Sequence, residues 1–233
     1  MDFLSDIELY YTPLENVYGN LLKISGDEKK HIIQVMRHNI GDKIYATDGH
    51  GHIYICSINE ISRDEIILNI AETLNYPNQY RNIYFCIPKL KNSDRFEFAL
   101  EKSIELGITN FIIFTAEHSI AKGDKTTRIS KLAISAMKQS LRSYRPEFTF
   151  AGSITEIINL PGKKIILEQH ASNRLGSMQI DAAETYYFIF GPEGGLSDKE
   201  KNTLSEDNFF QLTGNRLRAE TAIITTASLL CTK

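Results

Sequence analysis

From Ile83 onward the chain alternates short apolar runs with longer amphipathic ones, and that rhythm restricts the fold more than any other feature. "IYFCIP", "NFIIFTAE", "KKIILEQ", "YYFIFG" and "FFQLTG" are too short for helices and have the near-continuous apolar character of strands buried on both faces. Between and after them stand "SDRFEFALEKSIELG", "RISKLAISAMKQSLRSY", "SDKEKNTLS" and "RAETAIITTASLLC", all of helical character. In the first, Phe96, Ala99, Leu100, Ile104 and Leu106 fall largely on one face, and Gly107 is the expected C-cap. Strand–helix alternation predicts a mostly parallel sheet covered on both faces.

The preceding residues follow a different pattern. "DKIYATDGHGHIYICSINEI" predicts two strands joined by a turn at "DGHG", and "EIILNIAET" a third. "SGDEKKHIIQVMRH" predicts a short helix with Ser25 or Asp27 as N-cap. Several short strands with one helix suggest a small β-barrel. "LNYPNQYRN" has the composition of a linker, so the expected division is 1–75 and 76–233.

The chain of 233 residues is 42% apolar and 24% charged, the balance of a globular protein with a sizeable core. "MDFLSDIELYY" resembles no signal peptide, and no apolar run approaches membrane-spanning length, so a cytoplasmic protein without a membrane partner is expected. Cys56, Cys86 and Cys231 lie far apart, and the six His lack ligand spacing. Neither a disulfide framework nor a metal site is expected. The formal net charge of −3 conceals an asymmetry. Residues 1–75 carry 6 basic against 12 acidic side chains, and residues 81–145 carry 12 against 6. A basic middle suits a surface offered to a polyanion, although solvated helix faces produce the same count.

Two late loops are the candidates for chemistry. Gly191-Pro192-Glu193-Gly194-Gly195 follows the carboxyl end of a predicted strand, where open α/β proteins hold ligands. It is neither a phosphate-binding loop ending in Gly-Lys-Ser/Thr nor the G-x-G-x-x-G fingerprint. A tight turn would use the same residues, while a ligand lying against the main chain would also demand them. Leu212 to Thr221 is the second loop. It sets Arg216, Arg218 and Glu220 at the start of an apolar helix, where the macrodipole disfavours arginine.

"FGPEGGLSDKE" followed by "RLRAETA" resembles the 16S ribosomal RNA uridine N3-methyltransferase family of the SPOUT class. "HIIQVMRHNIGDKIYATDG", "KNSDRFEFALEKSIELGI" and "MKQSLRSYRPEF" match further motifs of that family in order, so the likeness spans nearly the whole chain. The glycine usual directly after Leu212 is Thr213 here, and the basic residue common near the family's N-terminus is missing from "DIELYY".

The resemblance implies an α/β fold: a PUA-like or OB-like N-terminal barrel, then a SPOUT domain with a C-terminal trefoil knot. It implies S-adenosylmethionine as methyl donor, without metal, held by main-chain groups around Leu167, Gly191, Pro192, Glu193, Gly194, Gly195, Leu196, Leu212, Gly214, Asn215 and Leu217. Glu193 could contact the cofactor's ammonium or ribose, or cap the next helix. Arg218 and Glu220 are the implied catalytic pair, Arg218 stabilising a uracil anion and Glu220 orienting that guanidinium or the base. Arg37, Lys89, Lys91, Arg95 and Arg142 are expected to hold RNA phosphates. The implied partners are 16S rRNA in the small ribosomal subunit and a second copy of the chain in a homodimer, not DNA. A knotted ribose 2′-O-methyltransferase and a non-catalytic assembly factor are the alternatives.

Overall fold

The computed structural model describes residues 4–119 and 126–232. These fall into two compact units: the described residues up to Gln79 with Ile134–Arg145, and the described residues of Tyr80–Ala133 with Pro146–Lys233.

The first unit is a six-stranded sheet in the order β1-β4-β5-β6-β3-β2. Its strands are β1 (Leu9–Tyr11), β2 (Val17–Tyr18), β3 (Leu21–Ser25), β4 (Lys43–Thr47), β5 (His52–Ile61) and β6 (Glu65–Asn75). β1 to β3 were not expected from the sequence: β1 and β2 are too short to show alternation, and in β3 the exposed Leu21 beside buried Leu22 masks it. Register shifts at Ile55/Cys56 and Ile58/Glu60 bend the long β5–β6 pair. Thr12 accentuates the curl: its N–H donates to Thr47 O at 3.0 Å and its hydroxyl to Lys23 O at 2.7 Å, joining one edge strand's end to β3. Inside lie Tyr10, Leu22, Ile24, Ile44, Tyr54, Ile66 and Leu68.

The expected helix is α1 (Gly26–Lys30), continued by a π-helical turn over His31–Val35. Ser25 occupies the N-cap position, but its side chain makes no capping bond. Arg37, at φ 60°, ends the helix in the left-handed region.

Ile134–Arg145 belongs to the first unit because the "DGHG" turn is built to receive it. Gly51 N donates to Ser143 O and Arg145 N to Gly49 O, both at 2.9 Å. Gly49 and Gly51 have φ of +77° and +101°, and a Cβ on Gly51 would meet Tyr144 Oη at 2.4 Å. Local composition marked a linker near residue 75 but contained no sign of this long-range return.

Beside that turn, buried Asp48 accepts from His50 N at 2.7 Å, His52 Nδ1 at 2.6 Å and Tyr54 Oη at 2.8 Å. Burial opposes its ionisation, yet these hydrogen bonds and the His52 charge outweigh burial and hold the carboxyl below the usual range.

The second unit is a seven-stranded, wholly parallel sheet in the order β11-β13-β10-β12-β7-β8-β9. Its strands are β7 (Ile83–Pro88), β8 (Asn110–Phe114), β9 (Glu147–Ala151), β10 (Lys163–Leu167), β11 (Asn173–Arg174), β12 (Tyr186–Ile189) and β13 (Phe209–Gln211). Its helices are α2 (Ser93–Leu106), α4 (Ile154–Ile158), α5 (Asp198–Lys201) and α6 (Ala219–Cys231), while α3 (Thr126–Gln139) begins in this unit and from Ile134 belongs to the first. Asn92 caps α2 by accepting from the N–H groups of Asp94 and Arg95, and Gly107 closes it at φ 114°. One sheet face packs Cys86, Ile112, Ile166 and Ile189 against Ile154 and Ile157 of α4. On the other, Phe85 lies 5.2–6.4 Å from the rings of Phe111, Phe188 and Phe190. α2 and α6 pack together. Among the described residues no helix is long and apolar enough to cross a membrane.

Asp48→Ala strands the Tyr54 hydroxyl and the His50 N–H, and should cost about 1–3 kcal/mol in urea unfolding. Because the native carboxyl is depressed, its stabilisation is complete above the unfolded value of about 3.9 and fades as pH falls toward the lower native value. The gap between wild type and variant should therefore narrow below about pH 4; a gap constant from pH 7 to 3 would contradict this role.

Candidate functional site

β10 lies between β12 and β13, so the carboxyl ends of three adjacent parallel strands open on one side. Ile166 pairs with Ile189 on one flank and Phe209 on the other. The segments leaving these ends line a cavity of about 740 Å³. Leu167, Glu168 and Gln169 come from β10, Phe190 to Leu196 from β12, and Leu212, Thr213 and Asn215 to Ala219 from β13. Ala222, Lys201 and Arg95 complete the wall.

Each loop is fixed by its own chemistry. After β12, Gly195 N donates to Pro192 O at 2.9 Å, closing a turn that needs Gly195 at φ +74°. After β13, the Thr213 hydroxyl accepts from Asn215 N at 3.1 Å and donates to Asn215 O at 2.9 Å. A threonine side chain thus supplies the turn. After β10, Gln211 Nε2 donates to Gln169 O at 2.7 Å, and Lys201 pairs with Glu168 at 2.6 Å.

The three loop glycines differ in kind. Gly195 is required by its φ. A Cβ on Gly194 would press on the His118 Cβ at 3.3 Å, whereas one on Gly191 would find ordinary contacts at 3.5 Å or more. The fold therefore does not demand Gly191, which lines the cavity.

Every residue expected to hold the cofactor lines this cavity except Gly214, which is exposed on the outer side of its loop. Glu193 is exposed and does not cap α5. Ser197 does so, its Oγ accepting from Glu200 N at 3.2 Å while Glu200 returns a bond to Ser197 N at 2.8 Å. Thr213, Arg216 and Ala219 lie in the second candidate loop and Glu168 and Gln169 at the end of the β10 run, whereas Phe190, Lys201 and Ala222 were not foreseen.

Arg218 occupies the N-cap position of α6 without a capping bond, exposed at the cavity wall and with no ion pair among the described residues. Glu220 does not orient it. Glu220 Oε1 faces Arg95 Nε at 3.5 Å, and its Oε2 is buried without a hydrogen-bond partner. In the helix, Ala219 and Ala222 turn to the cavity and Glu220 turns away toward α2, so the carboxylate reaches the cavity through Arg95. Lys89 and Lys91 stand in the β7–α2 segment of the same unit, Lys91 exposed. Arg37 and Arg142, both exposed, belong to the other unit.

Cys56 and Cys86 are poor nucleophiles. Burial pushes the Cys56 thiol up to about 12 and that of Cys86 higher still. Among the described residues no group of three or more His, Cys, Asp or Glu is arranged to hold a metal ion.

Fold and cavity together define a parallel α/β protein that takes a ligand against main-chain loops at a crossing point of the sheet. The pattern of the RNA methyltransferase domain family matches residues 77–231, and that of the RNA methyltransferase PUA domain matches residues 24–71. Ribosomal RNA small subunit methyltransferase E of Bacillus subtilis is 29% identical over 201 residues, covering 79% of this chain and 78% of that protein. Its Aquifex aeolicus counterpart is 28% identical over 218 residues, covering 91% and 94%. A Legionella pneumophila structure, designated a methyltransferase and solved with bound cofactor SAM, superposes with a TM-score of 0.82 at 27% identity, covering 97% of both chains. The chain belongs to the RNA methyltransferase family, of the ribosomal RNA small subunit methyltransferase E type.

The glycines can be told apart by stability alone. Gly195→Ala should cost about 1–2 kcal/mol, because alanine is strained at that φ. Gly191→Ala should be neutral or stabilising by about 0.4–1 kcal/mol. Equal losses in thermal unfolding would mean that Gly191 serves the fold rather than the cavity.

Proposed function

We propose that this protein transfers a methyl group from S-adenosylmethionine to N3 of a uridine near the 3′ end of 16S rRNA in the small ribosomal subunit. The observation that carries the reading is the cavity walled by three main-chain loops, with Arg218, which has no ion pair among the described residues, at its edge. A backbone-lined wall that includes Gly191, Gly194 and Gly195 suits a cofactor that lies flat against the chain. S-Adenosylmethionine carries its own activated methyl group, so the protein's part is to hold donor and acceptor in line and to manage one proton.

Uracil N3 bears a hydrogen, and its lone pair attacks the methyl carbon only as that proton leaves to solvent water, while the carbon–sulfur bond breaks and S-adenosylhomocysteine departs. Negative charge then collects on the uracil oxygens. Arg218 stabilises it with a planar fork of N–H donors. Glu220, held in the pair with Arg95, keeps a second guanidinium at the cavity wall. Lys89, Lys91 and Arg95 in one unit, and Arg37 and Arg142 in the other, are the cations for RNA phosphates.

The family resemblance also motivates a trefoil knot and a homodimer. A chain leaving β12 must pass β10 to reach β13, the crossing such a knot needs. α6 is apolar, yet within one chain Ile224, Leu229 and Leu230 are only half-buried, which suits an interface with a second copy.

Incubation with labelled S-adenosylmethionine and small-subunit RNA, followed by nucleoside analysis, should yield 3-methyluridine. A 2′-O-methylated nucleoside, or no transfer from a protein that binds RNA, would overturn the reading in favour of the two alternatives. In the same assay Arg218→Lys should lose about 10²–10³ in turnover while S-adenosylmethionine binding persists. Glu220→Gln should lose less, with a rate that still rises with pH as solvent removes the proton. Were Glu220→Gln dead at every pH and Arg218→Lys near normal, Glu220 would be the base.

A further inference from the structure

The glycine-rich loop after β12 has to keep its main chain in one shape for the proposed cofactor, and it contains few side chains with which to do so. Its restraint comes from outside, from the segment that follows β8. Glu200, on α5, is almost fully buried, at 6% exposure. Its two carboxylate oxygens are used separately: Oε2 accepts from Ser197 N at 2.8 Å, and Oε1 from Glu117 N at 3.1 Å. One carboxylate therefore ties the end of the cofactor loop to the β8 segment. Lys199 and Glu117 add an ion pair at 3.3 Å across the same seam.

The next residue of that segment reaches the loop itself. His118 Nδ1 lies 3.1 Å from Gly195 O. A carbonyl only accepts, so Nδ1 must carry the hydrogen and donate it. The His118 side chain is also the body that a Cβ on Gly194 would strike. His118 thus braces Gly194 and Gly195 from the side away from their own turn, while Glu200 fixes the loop's exit two residues later.

We infer that His118 and Glu200 are positioning residues for the cofactor loop: together they hold Gly194 to Ser197 in the shape that binds S-adenosylmethionine. This rests on the reading of the cavity as a methyl-donor site. Neither residue lines the cavity, so neither touches the ligand. Their effect should fall on donor affinity and leave turnover with saturating donor nearly unchanged.

Glu200 must be a carboxylate, because two separate N–H groups require two acceptor oxygens. In Glu200→Gln an amide NH₂ would face one of those donors. That variant should weaken S-adenosylmethionine binding about tenfold or more in a calorimetric titration. Since Glu200 is buried, the same change will also lower thermal stability, and the decisive variants are at His118, which is exposed. His118→Ala should raise the dissociation constant about three- to tenfold, raise KM for the donor alike, and leave kcat and the melting temperature of the free protein near wild type. His118→Asn should restore affinity, because its amide nitrogen can donate to Gly195 O from the place of Nδ1. Unchanged affinity in His118→Ala overturns the inference, and so does failure of His118→Asn to restore it. Wild-type protein that binds no S-adenosylmethionine would instead bring down the reading of the cavity itself.

Discussion

Parallel pairing of β10 with a strand on either side is the constraint on which the rest of the second unit depends. A parallel sheet brings all its carboxyl ends to one side, so the adjacent strands β13, β10 and β12 necessarily release their chains into one region. None of the strand residues needs to be chemically special. Ile166 is a buried isoleucine with two neighbours, and its pairing with Ile189 and Phe209 gathers the loops that follow. The glycine-rich loop, the threonine-bound turn and the Arg218 helix start become one wall only because the strands beneath them are adjacent.

What the loops then offer is largely main chain. Side chains around the cavity mostly hold other protein parts: Gln211 ties Gln169, Lys201 ties Glu168, and Glu220 ties Arg95. Among the described residues, Arg216 and Arg218 line the cavity without such an internal task. Division of labour between a passive, backbone-lined recess and unpaired guanidinium groups at its wall suits a reaction whose reagent is already activated and whose acceptor must briefly carry negative charge. The orphaned Glu220 Oε2 is the exception to an otherwise satisfied arrangement.

Most of the second unit was legible in the sequence because buried parallel strands are continuous apolar runs and its larger helices are amphipathic. β7, β8, β10, β12 and β13 all stand where those runs predicted them. β9 escaped notice because "EFTFA" at the sheet edge is half exposed and lacks such a run. In the first unit, β1 and β2 are too short for periodicity, the exposed Leu21 masks the alternation of β3, and the return of Ile134–Arg145 rests on contacts with Gly49 and Gly51 far back in the chain. The site was legible as loops, since glycine and proline mark them, and the family resemblance supplied their ligand. The partner of Glu220 was not. Arg95 and Glu220 are 125 positions apart in sequence, and only the packing of α2 on α6 brings them together. Nor could sequence show that His118 lies against Gly194, since neither residue forms part of a pattern that implies the other.

The central claim is that S-adenosylmethionine lies against the main chain of three loops. Amide hydrogen exchange with and without saturating S-adenosylmethionine tests it most directly. The account predicts slowed exchange confined to residues 167–169, 191–197 and 212–219, with the first unit unchanged. Protection outside these loops, or binding that leaves their amides as exchangeable as before, would contradict it.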